Sequence, residues 1–160
     1  MNGWDNFFVA TAGAAATLTG LIFVGLSISL SKILSVSTLP TRAFESLMLL
    51  LTILIISSLC LVPGQPLYLI GIEILTIGIL VWGVTLKLDI GILRRSEEGF
   101  KHYAKQNFLL TQLSVLPYIV AGVVLLTLGL PGFYWLVPAF LISLIKAVSD
   151  AWVLLVEINR

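Results

Sequence analysis

Residues 106–145 read QNFLLTQLSVLPYIVAGVVLLTLGLPGFYWLVPAFLISLI, forty positions without one charged side chain. As a single helix this run would extend about 60 Å at 1.5 Å per residue, twice the roughly 30 Å of a bilayer's hydrocarbon core. Leu130-Pro131-Gly132 divides it. A Pro-Gly pair breaks a helix and leaves backbone groups that lipid cannot satisfy, so it belongs at a turn near the membrane surface. The run therefore predicts two spans, about 107–129 and 133–156, the first with a kink at Pro117.

The same logic extends towards the N-terminus. Residues 6–31 carry no charge, and Lys32 ends the run; a first span is predicted over about 6–33. Residues 35–42 read as a connector, with Pro40 placed to open the next helix. A second uncharged run, 46–72, is interrupted by Pro63-Gly64-Gln65-Pro66, giving spans of about 43–62 and 67–93. Residues 94–106, beginning Arg94-Arg95-Ser96-Glu97-Glu98, read as the one substantial water-exposed loop. The expectation is an all-α, polytopic transmembrane helix bundle of five spans in a single domain.

Composition agrees. Of the 160 residues 59% are hydrophobic and 11% charged, against about 25% charged in a soluble domain. Such a chain lacks the polar surface to cover itself in water. The first five residues contain Asp5 and no Lys or Arg, so the N-terminus is expected to be a retained helix and not a cleaved signal. Orientation follows from the basic residues: Lys32, Arg42, Lys87, Arg94, Arg95, Lys101, Lys105, Lys146 and Arg160 all fall on or nearer one side of a five-span arrangement. The opposite side holds the N-terminus and both Pro-Gly turns. The positive-inside rule then puts the N-terminus outside and the C-terminus inside. Trp4, Tyr68, Tyr134 and Trp135 fall at the outer interface, where an aromatic belt is expected.

The opening Trp4-Asp5-Asn6-Phe7-Phe8-Val9-Ala10-Thr11-Ala12-Gly13-Ala14-Ala15-Ala16, continued by Leu18-Thr19-Gly20-Leu21-Ile22-Phe23-Val24, resembles the start of a group of small bacterial integral membrane proteins without an assigned activity. The ending Asp150-Ala151-Trp152-Val153-Leu154-Leu155-Val156-Glu157-Ile158 is similar to the same group. The resemblance covers the first span and the last turns of the fifth. It implies a bacterial cytoplasmic (inner) membrane and assigns no residue a role.

Three groups of residues are candidates for function. On the first span Asn6, Ala10, Gly13, Thr17, Gly20, Val24, Ser27 and Ser31 follow one another at alternating steps of four and three, the spacing of a helix–helix seam. Its members are small or weakly polar, which suits close packing of membrane helices; it equally suits copies of this helix lining a pore, with hydroxyls towards water. Leu18, Ile22, Leu26, Leu30 and Ile33 form another face, expected to meet lipid. Glu73 lies six residues into the third span, about 9 Å below the outer boundary and level with Ser57 and Ser58 on the second. No basic residue lies in the outer half, so Glu73 reads either as a snorkelling or hydroxyl-bonded acid or as a proton or cation site. On the fifth span Lys146 and Asp150 stand one turn apart, a pairing distance, on a stripe with Ala139, Ser143 and Glu157; Gln112 and Ser114 of the fourth span, in the same inner half, would complete a polar cluster.

Catalytic and cofactor sites have no signature. One cysteine, Cys60, and one histidine, His102, leave no multi-ligand metal set, and no Gly-rich phosphate loop or nucleophile–base set occurs. The basic loop is explained by topology, so no nucleic-acid partner is expected; membrane lipid is. The leading expectation is an oligomeric channel or pore for a small ion or solute, assembled through the first helix. The alternatives are a small proton-coupled secondary transporter and a non-catalytic structural or regulatory membrane subunit.

Overall fold

The computed structural model describes residues 3–35, 39–95 and 101–158. It is all-helical among the described residues: α1 (Asp5–Ile28), α2 (Leu30–Ser35), α3 (Leu39–Cys60), α4 (Leu67–Arg95), α5 (Lys101–Thr127), a single 3₁₀ turn (Leu130–Gly132) and α6 (Phe133–Ile158). Five helices are long and apolar enough to cross a membrane: α1, α3, α4, α5 and the segment Leu130–Leu154. At the helical rise, their 22 to 29 residues extend roughly 33 to 44 Å, enough to cross a hydrocarbon core with tilt.

Boundaries differ from expectation where local chemistry intervenes. The first span ends at Ile28, and a break at Ser29 starts the short α2. Ser27 Oγ donates to Phe23 O at 2.8 Å, and such back-bonding competes with the helical ladder and bends it. The fourth span opens at Lys101, not 107, so the polar residues 101–106 are helix and not loop. Of the expected loop, residues 96–100 lie outside the described residues, and Arg94 and Arg95 close α4. α5 runs unbroken through Pro117.

The chain divides into two compact units, Met1–Val62 with Leu144–Arg160, and Pro63–Ser143. In the first, α1 packs along α3. α3 buries Leu39, Ala43, Ser46, Leu50, Ile53, Ser57 and Cys60, again at steps of four and three, and α1 meets it with buried Phe8 and Ala15. Thr11 Oγ1 and Ser57 Oγ join the two helices at 3.0 Å. Either hydroxyl can be the donor between them, and Thr11 Oγ1 also lies within bonding distance of Phe7 O at 2.9 Å. Ile33, Leu39, Ala43 and Leu154 form a buried cluster on which Leu26 packs.

In the second unit α4 and α5 are held at close range by absent side chains. A Cβ on Gly122 of α5 would stand 2.7 Å from the backbone N of Leu75 on α4; in the turn after α5, one on Gly132 would stand 2.6 Å from the backbone N of Leu125. Neither neighbour can yield without moving its helix. Where lipid removes the hydrophobic drive between helices, this contact supplies the dispersion energy that association needs. Gly122→Ala is therefore expected to destabilise the fold by about 1–3 kcal/mol through overpacking, read as a lowered midpoint in SDS-titrated circular dichroism. Gly25→Ala, which enters open space off the small-residue seam of α1, should not lower the midpoint. Equal midpoints for both variants would mean that the α4–α5 approach is not tight.

Candidate functional site

The small-residue seam of α1 is exposed along its whole length. Asn6, Ala10, Gly13, Thr17, Gly20, Val24, Ser27 and Ser31 all lie on the surface, and a Cβ at Gly13 or Gly20 would meet nothing within 4 Å. Thr17 Oγ1 donates to Gly13 O (2.8 Å) and Ser27 Oγ to Phe23 O, so these hydroxyls have used their protons and offer lone pairs outwards. The face expected to meet lipid behaves differently: Leu18, Ile22 and Leu26 are half-buried and Ile33 is buried, while Leu30 is exposed. The physical reason is shape. Branched side chains on that face fill the groove beside α3, and the small residues, about half a turn round the helix, are left outside.

Glu73 has a partner. Gln65, in the Pro63–Pro66 turn, donates from Nε2 to Glu73 Oε2 at 2.7 Å. An amide donor reaching back from the turn gives the carboxylate a hydrogen bond without any cation. Ser57 bonds Thr11, and Ser58 is exposed and donates to Leu54 O at 2.7 Å. Neither hydroxyl has a hydrogen bond to Glu73 among those found.

Lys146 and Asp150 form an ion pair on successive turns of α6, with 3% and 5% of their surfaces exposed. Arg42, in the same unit, also acts electrostatically on Asp150. Gln112 is engaged otherwise: its Oε1 accepts from Trp82 Nε1 at 2.8 Å. Its buried Nε2 finds no partner among the described residues.

The structure adds a polar column of which the sequence reading singles out Ser114 and Ser143 alone. On α5, Ala104, Asn107, Thr111, Ser114, Tyr118, Ala121 and Leu125 are all buried. Their steps alternate three and four, the same seam spacing as on α1, and a search for that period would have found them. Asn107 Nδ2 donates to Oδ1 of Asp89 on α4 at 3.3 Å. Asp89, which reads from the sequence as part of the cytoplasmic anchor, is 2% exposed. Thr85, one turn before it, is buried and donates to Val81 O at 2.9 Å. Further along α5, Tyr118 Oη donates to Ser143 Oγ (3.0 Å), and Ser143 Oγ to Ser114 O (3.4 Å). The result is a carboxylate at one end of α5 and a hydroxyl relay further along, both enclosed by helices. Such a column can hold a proton or a desolvated cation only where its members remain satisfied.

Among the described residues no group of three or more His, Cys, Asp and Glu side chains could hold a metal ion. Five spans and a buried polar interior define a multi-pass helical membrane protein. Comparison of the chain with protein-family models, with curated proteins and with solved structures finds no match.

The Lys146–Asp150 pair gives a stability test. Lys146→Ala strands a buried carboxylate beside the more weakly acting Arg42, and breaking a buried pair costs about 3–5 kcal/mol. Lys146→Met with Asp150→Leu removes both charges and should recover most of that loss. Unfolding midpoints of the single and double variants check this: a double variant less stable than Lys146→Ala would contradict the account.

Proposed function

We propose that the chain is a homo-oligomeric channel or pore for a small ion or solute, its copies meeting through α1. The observation that supports it is how little of α1 the chain itself covers. In the apolar window of α1 11% of positions are buried, against 56% in α3. The uncovered surface includes the row of small and weakly polar residues, beside exposed apolar side chains such as Leu21, Phe23 and Ile28. For a helix facing lipid such a row is a poor surface, because glycine and alanine forgo dispersion contacts that leucine would make. Facing copies of itself, it permits backbone approach. Asn6, Thr17, Ser27 and Ser31 then supply polar atoms along the shared axis, while Gly13 and Gly20 set the contact distance.

The membrane is the bacterial cytoplasmic membrane, with the N-terminus outside. The support is the one-sided distribution of Lys and Arg, and Tyr68, Tyr134 and Trp135 are exposed as a belt at the outer interface would be. A second reading, a proton-coupled transporter, is favoured by the buried Asp89 and the Lys146–Asp150 pair, since ionisable groups inside a span are costly to keep unless they are used.

Topology is checked with Leu128→Cys and Lys105→Cys, each in a Cys60→Ser background, and an impermeant maleimide on whole cells. Leu128→Cys should label and Lys105→Cys should not; the reverse pattern would invert the orientation. Function is checked in planar bilayers. Wild-type protein should give unitary currents, and Gly20→Leu should yield a folded monomer without them, because Gly20 borders open space within the chain. Proton-coupled uptake without unitary currents would favour the transporter. A wild type that is monomeric in lipid nanodiscs would end the oligomer and the shared pore together.

A further inference from the structure

α4 carries a second surface, of different chemistry from the α1 seam. A shallow cavity of about 340 Å³ is lined by Gly83, Leu86, Lys87, Ile90, Gly91 and Arg94. At roughly 100° per residue these six fall on one face of the helix. Val81, Thr85, Asp89 and Ile92, which are buried, fall on the opposite face, so Asp89 does not turn towards Lys87. Gly83 and Gly91 meet nothing within 4 Å, and together they cut a trough into a helix surface that is otherwise apolar. Lys87 and Arg94 are exposed, stand seven residues or about 10 Å apart along the axis, and among the described residues neither has a carboxylate partner.

We propose that this trough is a binding site for one anionic phospholipid, with an acyl chain lying over Gly83 and Gly91 and the phosphate held between Lys87 and Arg94. Three properties of the surface select that occupant. The cations lie in the last two turns and a half of a membrane-crossing helix, where headgroups begin, and Lys87 can snorkel along its stem towards them. The charge is of one sign, without a carboxylate partner among the described residues, and complements a phosphodiester near an anionic surface. The rest of the lining is Gly, Leu and Ile, a wall suited to an acyl chain and not to a hydrated free anion. A lipid here fills the trough that the two glycines open.

The test is native mass spectrometry of the full chain released from nanodiscs of equal phosphatidylglycerol and phosphatidylcholine. Wild type should retain one phosphatidylglycerol at least fivefold in preference to phosphatidylcholine. Lys87→Gln with Arg94→Gln should lower that retention at least fivefold, and so should Gly83→Leu with Gly91→Leu, which fills the trough and keeps both charges. Lys87→Arg with Arg94→Lys should retain the lipid. Circular dichroism should be unchanged throughout, since every substituted side chain faces outwards. Equal retention of the two lipids overturns the proposal. So does retention that survives the glycine replacements, or displacement of the lipid by inorganic phosphate alone, which would mean a site for a free anion. Loss of the lipid only when an oligomer dissociates would mean that a second copy forms the site, and would also overturn it.

Discussion

Helices in lipid gain nothing by hiding apolar side chains from one another, because the acyl chains around them are as apolar as leucine. What holds such helices together is close contact between backbones and hydrogen bonds that water is not present to exchange. Both are visible in the hairpin of α4 and α5. Gly122 lets Leu75 approach to a distance that a single methyl group would forbid. Along the same two helices Asn107 reaches Asp89, and Trp82 reaches Gln112. The glycines set the spacing, and the spacing brings polar side chains within bonding distance. Widen the approach by one methyl group and the hydrogen bonds beside it lengthen too.

That constraint also bears on how several of the buried polar groups are satisfied. Thr85, Thr111 and Ser114 return their protons to their own helices, so burying them leaves no open donor. Lys146 and Asp150 neutralise each other one turn apart. The Tyr118, Ser143 and Ser114 chain passes a proton donor from ring to hydroxyl to backbone. An interior built this way tolerates charge and polarity where hydrocarbon alone would not. It is also where the transporter reading has its material.

α1 stands outside this scheme. Phe8 and Ala15 are buried and Leu18, Ile22 and Leu26 half-buried, while its small residues face out together with Leu21, Phe23 and Ile28. A surface of glycine, alanine and back-bonded hydroxyls is suited to another helix, which is why the oligomeric reading rests on it. The trough on α4 shows the same economy in another form: two glycines make room, and two cations mark what the room suits.

The number of spans and the turns between the later ones were legible in the residues. Pro63-Gly64-Gln65-Pro66 and Leu130-Pro131-Gly132 break helices by chemistry that is local, and long uncharged runs require helix for reasons of solvation. The break at Ser29 and the helical start at Lys101 were not legible, since each depends on a balance of weak local terms. The Gln65–Glu73 bond was missed because the turn was read for its prolines and not for its amide. The deeper lesson lies in two stripes of equal period. Asn6 to Ser31 on α1 and Ala104 to Leu125 on α5 both advance by threes and fours. One is exposed from end to end and the other is buried. Sequence by itself determined that each helix has such a face, because the face follows from the helical period. Only the tertiary structure decided what lies against it, because that depends on which distant helix arrives with a complementary surface.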